Sequence, residues 1–198
     1  VNPAIAANVT VSTRDPANNL RSTVPDAQTG QFRLAYLPEG TNYTVVVTGQ
    51  NLTTAAVTGV PVSLASSVTQ LNSAANAINL PASATATLNG VVRNGSNVLL
   101  TEAMVAARQT LSSGQVLAVS TRNVNANTAA YAMTLPVAAP VRATYVAGGT
   151  LNFLADNASI SGVYNIYGSA SGYTGQSTPP QVSLTAGATV SKDLVLTP

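Results

Sequence analysis

An internal repeat is the feature of this sequence that most constrains its fold. Three short motifs occur in the same order in two long segments: residues 29–38 match 128–136, residues 43–53 match 164–174, and residues 62–64 match 182–184. Each copy also ends on a similar apolar segment, at residues 78–81 and 194–198. Because three motifs keep their order, the sequence predicts a duplication, with two modules of one fold.

Within each copy, short stretches of alternating apolar and polar residues are separated by Pro, Gly, Asn and Asp. This alternation is typical of half-buried strands, and the separating residues favour turns. Only 7% of the residues are charged, so the charged helix formers are scarce, whereas the β-branched residues that favour strands are common. We predict an all-β protein of two tandem Greek-key-type β-sandwich modules, the second with an inserted β-hairpin.

The length of 198 residues is sufficient for two small domains. We place the boundary at Pro81-Ala82-Ser83. Residues 1–81 are then a β-sandwich module that lacks its first strand, and residues 82–198 are a module with a hairpin inserted at about residues 137–162.

The missing strand follows from comparing the two starts. In the second copy residues 84–93 alternate, which puts Ala86, Leu88, Gly90 and Val92 on one face. Residues 2–9 match 97–105, so the first copy begins after this strand. Its absence would uncover apolar side chains and leave unpaired backbone groups on the neighbouring strand.

The second copy has extra residues in which 141–147 and 150–154 flank Gly148-Gly149, a hairpin signal. Since a lone hairpin is marginal in water, we expect it to pack on another element. One copy lacks a strand and the other has spare ones, which suggests strand addition between chains. The candidate assembly residues on the two sides are Val1, Ile5, Val9, Val141, Tyr145, Leu151 and Phe153.

Other interpretations of the two differences stay open. Processing could have removed the N-terminal strand, or residues 1–7 could fold back on their own module. The inserted hairpin could simply extend the sheet of its own module.

The order of motifs resembles that of carboxypeptidase-regulatory-like domains in the prealbumin-like group, which are related to the B-type repeats of collagen adhesins. The matching residues are a first strand at 88–92, an Ala-x-Val strand at 103–105, a strand at 29–38 that ends in Leu-Pro, and a final Val-Ser-Leu segment. The strand at 29–38 begins Thr-Gly-Gln-Phe where the family pattern has Thr-x-x-Gly-x-Phe or Tyr. The resemblance implies a β-sandwich with an accessory or structural role.

The absence of His and Cys excludes Ser–His–Asp catalysis, a thiolate nucleophile and ordinary zinc or copper sites. The six carboxylates and the eight basic residues are scattered along the chain. We therefore predict no catalytic, cofactor-binding or metal residues, no cofactor, no enzymatic activity and no nucleic-acid partner. No apolar run is long enough to predict a membrane span.

The low charge, the absence of thiols and the abundance of Thr, Asn and Ser favour an exported protein. We predict a structural subunit of an extracellular filament or surface layer, a homo-polymer at the cell surface that assembles by β-strand addition. The alternative is an accessory module pair of a larger secreted enzyme or adhesin that binds a cell-wall partner, a polysaccharide or another glycan. Five Asn-x-Ser/Thr sequons are candidates for glycosylation, namely Asn8, Asn42, Asn51, Asn94 and Asn157.

The residue types predict that the purified protein carries no tightly bound transition metal. We expect elemental analysis to find no stoichiometric zinc, copper or iron after dialysis. Retention of one metal ion per chain would contradict this prediction.

Overall fold

The computed structural model describes residues 1–63, 69–71, 77–156, 161–175 and 178–198. Contacts divide the chain into two units, Val1–Ala82 with Pro140–Asp156, and Ser83–Ala139 with Asn157–Pro198. The described residues contain one short helix and fourteen strands, which confirms the predicted all-β sandwich fold class. Chain order is α1 Pro3–Ala6, β1 Val9–Arg14, β2 Leu20–Thr23, β3 Gly40–Gly49, β4 Ala55–Val62, β5 Thr85–Asn94, β6 Met104–Thr110, β7 Val116–Asn123, β8 Ala130–Pro136, β9 Val141–Thr144, β10 Leu154–Ala155, β11 Val163–Ser169, β12 Gln181–Ser183, β13 Thr189–Ser191 and β14 Leu194–Leu196.

The second unit is a sandwich of two four-stranded sheets. One sheet has the order β12-β11-β6-β7. In the other, β5 is central, with β8 antiparallel to it and β13 and β14 both parallel to it. Alternate residues face the core, as the period of two requires, so that β5 buries Leu88 and Val92 while β11 buries Tyr164 and Ile166.

The first unit contains one six-stranded sheet with the order β10-β9-β4-β3-β1-β2. Four of its strands, β4-β3-β1-β2, correspond in sequence and order to β12-β11-β6-β7 of the second unit. Its core contains Val11, Val45, Val47 and Val57, all on alternating strand positions. The same four-stranded sheet therefore occurs in both units, as the repeated motifs predict.

A buried tyrosine makes the same hydrogen bond in each unit. The Tyr43 hydroxyl donates to the carbonyl oxygen of Pro38 at 2.7 Å, and the Tyr164 hydroxyl donates to that of Pro136 at 2.6 Å. Burial raises the pKa of both hydroxyls above the ordinary tyrosine value, so both remain donors at neutral pH. The Tyr and the Leu-Pro of the repeated motifs are thus joined by one contact.

A second repeated contact closes the turn at the start of residues 29–38 and of their counterpart, residues 128–136. The Asp26 side chain accepts hydrogen bonds from the backbone N–H groups of Gln28 and Thr29 at 3.0 and 2.7 Å. Asn125 accepts the corresponding bonds from Asn127 and Thr128 at 2.9 and 3.1 Å. An acid and an amide therefore stabilise equivalent turns, since either oxygen accepts from the backbone.

The inserted hairpin differs from its prediction in length and in position. Strands β9 and β10 pair only at Arg142 with Leu154 and at Val141 with Ala155, so residues 145–153 add no further strand pairs. Within them the Gly149 N–H donates to the carbonyl oxygen of Val146 at 3.0 Å, which closes a turn at the predicted Gly148-Gly149. Strand β9 also runs parallel to β4 and extends the sheet of the first unit. The insert lies within the second copy in sequence, but it belongs to the other unit, where β9 pairs with β4.

The N-terminal copy differs at the segment matching β8. Residues 31–37 alternate like a strand, yet they pair with no other described strand and carry no strand assignment. The strand expected near residues 68–80 lies partly outside the described residues. The boundary predicted at residues 81–83 coincides with the change of unit after Ala82.

The Asp26 turn predicts a pH dependence that its counterpart lacks. Hydrogen bonds from Thr29 hold the pKa of Asp26 below its ordinary value, so its ionised form stabilises the fold above the ordinary pKa, and this contribution is lost as pH falls through the lowered value. We expect Asp26→Asn to unfold with a smaller pH dependence between about pH 2 and 5 than the parent, measured by circular dichroism.

Asn125→Asp is the matched control, because it should introduce acid sensitivity at the equivalent turn. Identical acid profiles for the parent and Asp26→Asn would contradict the role given to this carboxylate.

Candidate strand-acceptor site

The second unit has a complete central strand, which serves as the template for the site. Strand β5 pairs with β8 so that Ala86 lies opposite Leu135, Leu88 opposite Met133 and Gly90 opposite Tyr131. On its other side β5 pairs with β13 at residues 87–89 and with β14 at residues 92–94. Both edges of β5 are therefore paired in this unit.

In the first unit no described strand occupies the position that corresponds to β5. Phe32, Leu34 and Leu37 match Tyr131, Met133 and Leu135 of β8, which are buried. In the first unit the three matching side chains are only half-buried and pack against the core. No hydrogen bond reaches the backbone of residues 32–37 from the described part of the chain. We name residues 32–37 the open edge, since no described strand pairs with them as β5 pairs with β8.

The open edge has one residue more than the matching residues 131–135 of β8. Tyr36 has a φ of +58° and is 91% exposed, which is the geometry of a bulge residue that points away from the core. Because Tyr36 bulges outward, Leu34 and Leu37 both face inward although they are three residues apart. The open edge thus keeps the apolar face of β8.

Val1 occupies the place of the last core residue of the missing strand. Its α-amino group donates to the carbonyl oxygen of Gly30 at 2.9 Å, as the Val92 N–H donates to that of Ala129 at 3.0 Å. A Cβ on Gly30 would lie 1.9 Å from the Val1 carbonyl oxygen, so a larger residue here would displace Val1, although the second unit has Ala129 at the matching position. The equivalence of the two hydrogen bonds aligns Val1 with Val92, which is a match that sequence comparison missed.

The next residue continues the same alignment. The Asn2 N–H donates to the carbonyl oxygen of Ile78 at 3.0 Å, and Ile78 matches Leu194 of β14. Val1 and Asn2 therefore lie between the ends of two segments, as the end of β5 lies between β8 and β14. One interpretation left open by the sequence is observed, because the N-terminal segment folds back on its own unit.

Burial affects the charge at Val1. The residue is only 6% exposed, and desolvation lowers the pKa of its α-amino group below the ordinary value. Three ion pairs occur among the described residues, and none of them includes this group. The Val1 nitrogen therefore lies in a desolvated position beside Gly30.

All seven candidate assembly residues lie in the first unit and pack in or against its core. Three are buried, namely Val1, Val9 and Leu151. The others are half-buried, namely Ile5, Val141, Tyr145 and Phe153. The structure thus brings both sets of predicted residues together in one core, and their role in assembly stays a prediction.

Backbone N–H groups of the hairpin donate hydrogen bonds to β4 and the residue before it, within the first unit. The Val141 N–H donates to the carbonyl oxygen of Thr54, and the Tyr145 N–H donates to that of Thr58, both at 2.9 Å. The buried Asp156 carboxylate lies 3.1 Å from the Arg142 guanidinium. The hairpin is therefore held in place along β4, and it is not a free donor strand.

Three of the sequon asparagines are exposed, namely Asn8, Asn42 and Asn51. Asn94 is half-buried; its side chain accepts from two backbone N–H groups and donates to the Tyr173 hydroxyl at 3.2 Å. Asn157 lies outside the described residues.

No group of three or more His, Cys, Asp or Glu side chains comes together in the described ranges. Within the same ranges no helix combines the length and hydrophobicity needed to cross a bilayer.

No protein-family model matches this chain, and no curated protein sequence matches it. Three solved structures are similar at low identity. A 3-chlorocatechol 1,2-dioxygenase from Rhodococcus opacus 1CP is 11% identical over 59% of this chain and 61% of its own, with a TM-score of 0.36. The Bacillus anthracis TIE protein is 10% identical over 98% of this chain and 31% of its own, with a TM-score of 0.37.

The third similar structure is GBS52, the minor pilin of Streptococcus agalactiae. It is 11% identical over 96% of this chain and 82% of its own, with a TM-score of 0.35. All three TM-scores lie below 0.5, so neither the fold nor the function of this chain is inferred from these structures.

The open edge predicts that truncation of matching side chains lowers the free energy of unfolding by different amounts in the two units. Met133 is 2% exposed, whereas its counterpart Leu34 is half-buried. We expect Met133→Ala to lower the free energy of unfolding of the second unit by about 2 to 5 kcal/mol. Leu34→Ala should cost the first unit less than half as much, because less of its surface is buried. Denaturant unfolding measures both, and equal costs would mean that the open edge is covered.

Proposed function

We propose that this chain is a non-catalytic structural subunit of a cell-surface filament or layer, whose first unit receives a β-strand from a neighbouring molecule. The observation that supports the proposal is the open edge, at which Phe32, Leu34 and Leu37 face a strand position that β5 fills in the second unit. An unpaired apolar edge is a template for pairing with another chain.

Filling this position would be energetically favourable. In the second unit the strand buries Ala86 and Leu88 beyond the position matched by Val1. A fully buried leucine side chain contributes about 1.5 to 3 kcal/mol, and each backbone hydrogen bond contributes about 0.5 to 1.5 kcal/mol net. The sum is comparable with the whole stability of a small domain.

The described strands cannot supply the added strand. Each is already paired within its own unit, including β9 and β10 of the hairpin. A strand from a neighbouring molecule meets the open edge in a contact between unlike surfaces, and such contacts propagate into filaments unless the rotation closes. The low content of charged residues reduces repulsion between neighbouring copies.

The contacts of four aspartate side chains also agree with a structural role. Asp15 accepts hydrogen bonds from Asn19, and Asp26 closes a turn. Asp156 pairs with Arg142, and Asp193 accepts from the Val91 N–H at 2.9 Å. These four groups stabilise turns and strands, and the sequence has no His or Cys with which a catalytic group could be built.

The second candidate is an accessory pair that binds a glycan, as part of a larger secreted protein. The exposed Tyr36 ring favours it, because a tyrosine presents an apolar face together with a hydroxyl for contact with a sugar.

Electron microscopy of the native surface material, labelled with antibodies against the first unit, tests the proposal. We expect label at regular intervals along a filament or layer, and size-exclusion chromatography with light scattering should show polymers that heating converts to monomers. Label only on monomeric protein, or on a larger secreted enzyme, would overturn the subunit role in favour of the accessory role.

A further inference from the structure

We infer that a cavity in the first unit binds one neutral sugar ring of a glycan. Its volume is about 340 Å³, at the lower end of the range for ligand sites in proteins, so it has room for a single ring. We name it the Asp15 cavity. The turn after β1 and the start of β3 line it with Arg14, Asp15, Pro16, Gly40, Asn42 and Tyr43. The inference does not use the open edge, and it goes beyond the structural role proposed above.

The Asp15 cavity lies where one hairpin is shorter in the first unit than in the second. Equivalent turns begin at Asp15 and at Leu111, whose N–H groups donate to the carbonyl oxygens four residues further on at 3.0 and 2.7 Å. When the registers of β1 with β3 and of β6 with β11 are continued, Asp15 lies opposite Tyr43. Leu111 lies two residues beyond the position opposite Tyr164. The β1–β2 hairpin therefore turns back two residues earlier, which leaves space beside the start of β3.

Hydrogen bonds within the first unit fix the walls of the cavity. The Asp15 carboxylate accepts from the backbone N–H and from the side-chain amide of Asn19 at 2.8 and 3.0 Å. The Arg14 guanidinium donates to the carbonyl oxygen of Asn18 at 2.7 Å. On the other side, the Tyr43 hydroxyl is held by its bond to the Leu-Pro segment. A ligand therefore enters a site that is already ordered, which reduces the entropy lost on binding.

Burial separates the inner wall of the cavity from its mouth. Asp15 and Tyr43 are buried, whereas Arg14, Pro16 and Asn42 are exposed. The aromatic ring and the proline ring supply apolar contact, and the other three side chains supply hydrogen-bonding groups. A sugar ring has C–H groups on its faces and hydroxyls around its edge, so it can contact both kinds of group at once.

The polar side chains favour a ligand that has both donors and acceptors. Hydrogen bonds from Asn19 hold the pKa of Asp15 below its ordinary value, so the carboxylate is ionised at neutral pH and only accepts. The N–H groups of Ala17 and Asn19 and the Asn19 amide fill three of its about four acceptor sites, which leaves one for a ligand. Arg14 only donates, and the Asn42 amide does both. Hydroxyl groups satisfy all three side chains.

The charges of the cavity oppose a charged ligand of either sign. An anionic ligand would meet the Asp15 carboxylate at the inner wall. A cationic ligand would meet Arg14, and the Arg21 guanidinium lies 3.9 Å from the same carboxylate. Since like charges repel at short range, a neutral sugar fits this site better than an acidic or a basic one.

Titration followed by nuclear magnetic resonance tests the site. The probes are the methyl glycosides of glucose, galactose, mannose and N-acetylglucosamine, added to the full protein with Asn42 unmodified at up to about 50 mM, because a site for one ring binds weakly. We expect saturable shifts of the backbone amide signals of Arg14, Asp15, Gly40, Asn42 and Tyr43 with at least one glycoside. Absence of saturable shifts with all four would overturn the inference.

Matched variants show whether the sugar lies in the Asp15 cavity. Asn42→Ala should weaken binding about two- to tenfold, which corresponds to the loss of one hydrogen bond. Asn8→Ala removes an exposed asparagine outside the cavity and should leave binding unchanged. Arg14→Gln and Arg33→Gln form a second pair of the same kind, in which only Arg14 lines the cavity. Equal effects within both pairs would place the sugar elsewhere and overturn the inference.

Charged analogues test the selection for a neutral ring. The glycoside that binds is compared with analogues that carry a carboxylate or an ammonium group at C6. Both analogues should bind more weakly than the neutral glycoside at pH 7. Tighter binding of either analogue would show that the cavity selects a charge, and the inferred ligand class would be wrong.

Discussion

The pairing of a central strand with its antiparallel neighbour is the interaction on which the rest of the structure depends. In the second unit β5 pairs with β8 along seven residues and with β13 and β14 on its other side. One strand therefore joins three chain segments and covers the core formed by Leu88, Tyr164 and Ile166. In the first unit Val1 and Asn2 match the end of this strand, and among the described residues no strand pairs with residues 32–37.

The chain compensates for part of this deficit with its own residues. The insert within the second copy joins the first unit, where β9 extends the sheet along β4 and Tyr145, Leu151 and Phe153 pack against the core. Strand addition thus occurs within the chain at one edge of the first unit. The insert pairs with β4, and no hydrogen bond from the described residues reaches the backbone of residues 32–37, which is the basis of the proposed partner site.

The positions of most core strands could be predicted from alternation alone. Val45, Val47, Ile166 and Leu194 are buried as their alternating strands require, and β11 has the bounds that its pattern predicts. Residues 31–37 show the limit of this reasoning. They alternate as clearly as β8 does, but a strand exists only as part of a pair, and pairing depends on a segment elsewhere. The sequence likewise identifies the seven assembly residues as apolar, but it does not predict that they share one core.

The sequence by itself determined the all-β class, the duplication and the absence of His and Cys chemistry, because these follow from local pattern and residue type. Only the tertiary structure decided that the hairpin joins the first unit, that Val1 takes the place of Val92 and that one edge is left open. These three features depend on backbone hydrogen bonds between distant segments, which carry no signature in the side chains that form them. For the same reason the open edge is identified only by comparing the strand pairing of the first unit with that of the second.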